Sequence, residues 1–206
     1  MNQNVKIIGS CYIEPSVKMG NNVIIHSNVS IIGDSEIEDN VVIMPNTTIE
    51  SSKIGAGTVI KSSYIEFSVV GKNCQIGPYS HLRPNSVVGD ECHIGNFVEI
   101  KNSNVGDRTK ANHLAYVGDA DIGKDCNIGC GAIFVNYNGR SKNRTCVGDN
   151  CFIGSNCNIV APVMIADKSY ICAGTTLTID TKENDFVIGR CRETIKPDRA
   201  EQYLKK

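Results

Sequence analysis

Aliphatic residues recur about every six positions along most of this 206-residue chain, and that period leaves few folds open. Ile122, Ile128 and Phe134 keep the beat, as do Val147, Ile153, Ile159, Ile165, Ile171 and Leu177. A glycine or an acidic residue usually follows each aliphatic, and a small residue closes the unit, as in Ile153-Gly154-Ser155-Asn156-Cys157-Asn158. An α-helix is excluded, because this period gives no apolar stripe at the helical spacing. Flat alternating strands are excluded because the inward positions skip too far. The pattern matches a parallel β-helix of hexapeptides, in which three units close one triangular coil of about 18 residues. Corners fall on glycine or asparagine, which tolerate φ > 0 at little cost. Coils stacked at about 4.8 Å over Ile7 to Leu177 give roughly ten turns and a rod about 45 Å long. Steps one residue short, such as Ile49 to Ile54 and Ile100 to Val105, read as trimmed corners. The expectation is an all-β domain over 1–180, a hexapeptide β-helix, followed by a tail over 181–206.

The ten cysteines suggest a disulfide or zinc framework until they are placed on the repeat. Cys11, Cys74, Cys92, Cys126, Cys151 and Cys157 all occupy the small-residue slot, four after an aliphatic, where they act as small hydrophobes. No Cys-x-x-Cys pair exists to suggest structural zinc. Reduced thiols in a reducing cytosol are the expectation, with Cys130, Cys146, Cys172 and Cys191 lying off the slot. A net charge of −1 leaves no nucleic-acid footprint. No apolar run reaches the length of a membrane span and no signal peptide opens the chain, so a cytoplasmic location is expected.

The beat lapses between Phe134 and Val147. The slot near position 140 holds Arg140, within the polar segment Asn136-Tyr137-Asn138-Gly139-Arg140-Ser141-Lys142-Asn143-Arg144. Asn-Gly signals a turn, so the segment reads as a loop leaving the prism. It is either a tolerated bulge or, with Arg140, Lys142 and Arg144, an anion-binding wall. Just upstream, Ala111 fills an aliphatic slot and His113, two positions on, should face outward. A lone histidine is more often structural than catalytic. Here it has polar company in Arg83, Glu99, Lys101 and Asn127, about a coil or two away.

These residues carry a family resemblance. The run from Leu82-Arg83-Pro84 through His93-Ile94-Gly95-Asn96-Phe97-Val98-Glu99 and Lys101, then Lys110-Ala111-Asn112-His113-Leu114, Tyr116, Gly118-Asp119-Ala120, Asn127-Ile128-Gly129, Asn136-Tyr137 and Gly139 resembles the acetyltransferase domain of the bifunctional bacterial GlmU enzymes. The match is densest from about Pro78 to Arg190. The hexapeptide alone is common to many acyltransferases; the His113 motif together with Asn136-Tyr137 is more specific. The resemblance implies a left-handed coil, against the usual right-handed crossover. It also implies a homotrimer and acetyl transfer from acetyl-CoA to the amine of glucosamine 1-phosphate, with no metal.

Carried over by position, His113 matches the catalytic base and Glu99 an acid near it. Arg83, Lys101, Tyr116 and Asn127 match residues that hold the sugar phosphate, and Lys142 a lysine that reaches it from a neighbouring subunit. Cys130, Asn136, Tyr137, Ser155, Ala173 and Arg190 occupy acetyl-CoA positions. The chemistry suits these residue types. A thioester is attacked by an unprotonated amine, and imidazole is a base of the right strength. Glu99 is in a position to fix its tautomer, the Cys130 N–H to stabilise an oxyanion, and Arg83 and Lys101 to pair with phosphate. Each also has a plain reading as a surface or repeat residue.

The sequence departs from the family at Cys130, where alanine is usual, and at its start, which lies almost at the first coil with no glycine-rich nucleotide loop ahead. No uridyltransferase activity is therefore expected: the chain is a stand-alone acetyltransferase, or a separate chain supplies the uridyltransferase step, or the chain is a fragment of a longer protein. In the tail, Val187-Ile188-Gly189 reads as a short extended piece and 198–206 as a short helix; the tail is either a frayed end or an arm over a neighbouring subunit that brings Arg190 to the cofactor. Acetylation of another amino-sugar phosphate or a nucleotide-linked amino sugar is the near alternative. A carbonic-anhydrase-type zinc enzyme would need converging histidines, which His26, His81, His93 and His113 do not suggest. A non-catalytic scaffold would have no use for the His113 constellation.

Overall fold

The computed structural model describes residues 4–204. The chain winds as a three-sided parallel β-helix, visiting three faces in turn. Among the described residues, the first face stacks eleven short strands, from Lys6–Ile7 to Phe186–Val187, and includes Lys110–His113 and Asn127–Ile128. The second stacks ten, among them Glu99–Lys101 and Tyr116–Gly118, and the third nine, among them Ala120–Ile122 and Thr145–Val147. Hydrogen-bonded partners on neighbouring coils are separated by 16 to 18 residues, which is the trimmed-corner reading of the short steps. Across the lapse the separation rises to 25.

The repeat builds its own core. The slot residues Ile25, Ile43, Ile60, Ile76, Ile94, Ile128, Ile153 and Ile171 line the inside of the first face, and Ile49, Ile65, Leu82, Ile100, Val117, Phe134 and Ile159 the second, all buried. Ala111 sits in that row too, fully inside. The small-slot residues lie just within the corners, where their hydroxyls and thiols donate to a carbonyl of the next coil. Thr109 Oγ1 reaches Gly123 O at 2.8 Å, and Cys74 Sγ reaches Gly89 O at 3.0 Å. Cysteine and threonine are therefore interchangeable parts of one ladder. Cys74, Cys92, Cys126, Cys151 and Cys157 are buried there, and no cysteine is in a disulfide. Burial pushes the Cys157 thiol up, away from the reactive thiolate.

The coil continues past Leu177. The chain crosses the third face without a strand, Thr181 N–H bonding Met164 O at 3.0 Å, and Phe186–Val187 then pairs with Tyr170–Ile171. The expected helix after Pro197 is reduced to one 3₁₀ turn, Ala200–Gln202, with no buried residue. A segment that short, with no apolar face against a core, cannot repay helix nucleation. Residues 205–206 lie outside the described residues.

Candidate active site

Two corners of the coil that contains His113 carry the polar chemistry. His113 ends a strand of the first face, at the corner where Leu114 adopts φ 47 and the chain turns to the second face. Its ring is exposed, and Nδ1 lies 2.6 Å from Asn96 Oδ1 on the preceding coil. With the amide oxygen accepting, Nδ1 carries the proton and Nε2 keeps a free lone pair. The contact depends on register: Asn96 and His113 are strand partners, and Gly95 has no Cβ where the Asn112 carbonyl packs against it. Glu99 does not take this role. It begins a strand of the second face, around the corner, and its Oε1 accepts from Arg83 Nη1 at 2.8 Å. The carboxylate is held by the guanidinium, and the histidine's orienting partner is Asn96.

The same corner continues down the rod. Asn156 N–H bonds Cys130 O at 2.8 Å and Gly174 N–H bonds Ser155 O at 2.8 Å, so Cys130, Ser155 and Ala173 form one column of exposed corner residues below His113. Among the described residues, no hydrogen bond engages their backbone N–H groups, which leaves a line of free donors. Arg190 closes the column, its Nη1 donating to Ala173 O of its own chain at 3.1 Å. Asn127 stands on the first face, one strand on from Lys110.

The other corner, between the second and third faces, is a cleft of about 630 Å³ lined by Arg83, Lys101, Asp119, Lys142, Asn143 and Arg144 among others. Here the lapse shows its structure. The segment leaves the prism as a small hairpin, with Tyr137 and Lys142 bridged antiparallel and Asn138 Oδ1 accepting from the Ser141 N–H at 2.8 Å. Lys142 is thereby folded back towards Lys101 of the same chain. Burial works against the Lys101 ammonium, yet its 3.2 Å pair with the Asp119 carboxylate favours the charged form and its pKa lies above the ordinary lysine value. Lys142 is pushed the other way by Lys101.

Tyr116 spans the face between the two corners. Its hydroxyl packs over Gly118, which has no Cβ to obstruct it, and accepts from Asn136 Nδ2 at 3.3 Å. Asn136 is buried and also donates to Asp119, so its amide serves the cationic cleft rather than the Cys130 column. Tyr137 is exposed, its hydroxyl bonded to Gly139 O.

Two residues that complete these clusters, Asn96 and Asp119, had no role assigned from sequence. Asn96 stands 17 before His113 and Asp119 stands 18 after Lys101, and coil spacing was the signal that could have found both. Among the described residues no group of three His, Cys, Asp or Glu side chains is placed to hold a metal ion, and no helix is long and apolar enough to cross a membrane.

The sequence is similar to known proteins over two stretches of the rod and along most of its length. Residues 67–102 match the family described as bacterial transferase hexapeptide (six repeats), and 144–178 the hexapeptide repeat of succinyl-transferase. The chain is 47% identical to a bifunctional protein GlmU of Clostridioides difficile over 96% of its own length and 43% of that protein's. It is 48% identical to the GlmU protein of Caldicellulosiruptor saccharolyticus over 95% of this chain and 43% of the relative. Against that of Bacillus velezensis it is 46% identical, again over 95% and 43%. The chain thus spans less than half the length of these relatives.

Proposed function

This chain carries the bacterial transferase hexapeptide repeat and is homologous to the C-terminal half of GlmU, and from that premise we propose that it moves acetyl from acetyl-CoA to the amine of an amino-sugar 1-phosphate, glucosamine 1-phosphate first among them. The observation that carries this reading is His113, its Nδ1 held by Asn96 and its Nε2 free, at the head of the column Cys130, Ser155, Ala173 and Arg190. In the proposed step, the amine nitrogen attacks the thioester carbonyl while His113 Nε2 takes its proton. The tetrahedral oxyanion accepts from the free N–H of Cys130. The C–N bond is complete when the C–S bond breaks, and the imidazolium returns its proton to the departing thiolate. The Cys130 thiol is not needed for this, since the donor is backbone.

In this reading Arg83, Lys101 and Lys142 receive the phosphate, with Tyr116 and Asn127 along the sugar, and Ser155, Ala173, Arg190 and the exposed Tyr137 lie toward acetyl-CoA. Glu99 acts through Arg83. Asn136, matched to the cofactor by resemblance, acts on the phosphate side through Asp119. His113 and Asp119 stand at successive corners of one coil, six residues apart, up to about 20 Å of extended chain. That span favours a second copy, the first face of one meeting the cationic cleft of the next; the number of copies, a homotrimer, and the cytoplasmic location follow the family resemblance. The 1–180 and 181–206 division stands as the proposed catalytic rod and arm.

The test is turnover of wild type and His113→Ala with acetyl-CoA and glucosamine 1-phosphate. The variant should melt like wild type and turn over about 10²-fold or more slowly. Equal turnover would remove His113 from the chemistry.

A further inference from the structure

Asp119 is a carboxylate with an unusual number of obligations for a corner residue. It adopts φ 50, where asparagine or glycine would be the easier choice, and it is 6% exposed. Lys101 Nζ lies 3.2 Å from each of its oxygens, Asn102 Nδ2 donates to Oδ1 at 2.5 Å, and Asn136 Nδ2 donates to Oδ2. Its backbone is engaged as well: the N–H bonds Lys101 O at 3.0 Å, and Thr145 N–H bonds its carbonyl at 3.1 Å. The coil before it, its own corner and both ends of the inserted hairpin therefore meet at one residue. Asp121, two positions on, takes Arg144 through Nε and Nη2, both at 2.5 Å. The hairpin they anchor returns Lys142 to Lys101.

The charges in the cleft are almost, but not fully, matched. Arg83 is paired with Glu99, Arg144 with Asp121 and Lys101 with Asp119. No ion pair among the described residues engages Lys142, so one positive charge is left over, beside Lys101. The Asp119 side chain is 8% exposed against 18% for Lys101, which puts the carboxylate below the ammonium and leaves the ammonium toward the cleft.

We propose that Asp119 is a positioning residue for phosphate recognition: it orients Lys101, keeps it charged against Lys142, and fixes the hairpin that carries Lys142. The assignment rests on the functional reading above. Without the carboxylate, two ammonium groups face each other with no anion beneath them, and one gives up its proton more readily. The other charged or titratable groups around the cleft, Arg83 with Glu99, Arg144 with Asp121, and Tyr116, keep their own partners and do not replace it.

The experiment is steady-state acetyl transfer by wild type and Asp119→Asn, varying glucosamine 1-phosphate at pH 7 to 9. The variant should show a KM for the sugar phosphate raised about tenfold, the scale on which groups that orient a binding side chain act, with the KM for acetyl-CoA unchanged. Its KM should also begin to climb at a lower pH than in wild type, as the lysine pair loses charge. A purely structural role would shift KM by one factor at every pH, or both KM values together, and would overturn the assignment, as would an unshifted KM. If Asp119→Asn does not fold, Asp119→Glu serves. Charge retained but displaced should raise KM for the sugar phosphate without moving the pH at which it climbs, and an unchanged KM overturns the proposal. A wild type that turns over no amino-sugar 1-phosphate overturns the functional reading instead, and this one with it.

Discussion

The hydrogen bond between His113 and Asn96 decides which nitrogen of the imidazole is available as a base. A neutral amide is a weaker orienting partner than a carboxylate, but it adds no charge beside a developing imidazolium, and strand register sets the short Asn96 side chain directly opposite His113. On the cationic side the orienting groups are carboxylates, and their protonation has a cost that can be read. The bidentate Arg144 guanidinium holds the Asp121 carboxyl below the usual carboxylate range, despite partial burial. A depressed pKa in the folded state means stability that is present above the unfolded value, about 3.9, and is lost as pH falls through the folded value. The melting temperature of Asp121→Asn should therefore lie below that of wild type by a constant amount above pH 5. The gap should close as pH falls below about 4. A gap that persists unchanged to strongly acid pH would show that Arg144 does not depend on the Asp121 charge.

The coil is legible in the sequence because each slot is filled by the same kind of residue for the same reason, and the slots report the inward direction directly. The outward partners are less legible, because they depend on whether a given coil has 16, 17 or 18 residues, and one trimmed corner moves a side chain to a new neighbour. That is why Glu99, near His113 in a rough stacking, turned out to belong to Arg83, and why Asn96 and Asp119 carried no assignment. The hairpin was legible as a loop from its Asn-Gly turn and missing aliphatic, but its destination was not, since Asn136, Arg144 and Thr145 fix it through contacts 17 to 42 residues away. Tyr116 shows how closely a face can be specified: the phenol lies where a Cβ on residue 118 would be. Gly118→Ala should push the ring aside and break the Asn136 contact. The expected result is a higher KM for the sugar phosphate with little change in melting temperature or in the KM for acetyl-CoA. Unchanged kinetics for both substrates would mean that the Tyr116 position is unimportant.

The rod as a whole separates two chemistries by geometry. One corner presents a histidine and a run of free backbone donors; the next presents a cationic cleft closed by a hairpin. Neither is a complete site for an amino-sugar phosphate and an acyl thioester, and the parallel coils place them on adjoining edges where a second copy can bring them together. The exposed Tyr79, Phe97 and Leu114 lie along the His113 corner, all three bulky and all three at φ between 47 and 60, a conformation that costs about 1–3 kcal/mol at each such residue and is kept only where something compensates. A neighbouring rod packed against these side chains would supply that compensation in the proposed trimer. The whole account turns on an amine and a phosphate being recognised together. The direct measurement is release of free CoA thiol from acetyl-CoA by the purified protein, with glucosamine 1-phosphate, glucosamine, and other amino-sugar 1-phosphates supplied in turn. The account predicts rapid release with glucosamine 1-phosphate and little with glucosamine, which lacks the group that Arg83, Lys101 and Lys142 would hold; no release with any amino-sugar 1-phosphate, or equal release with and without the phosphate, would contradict it.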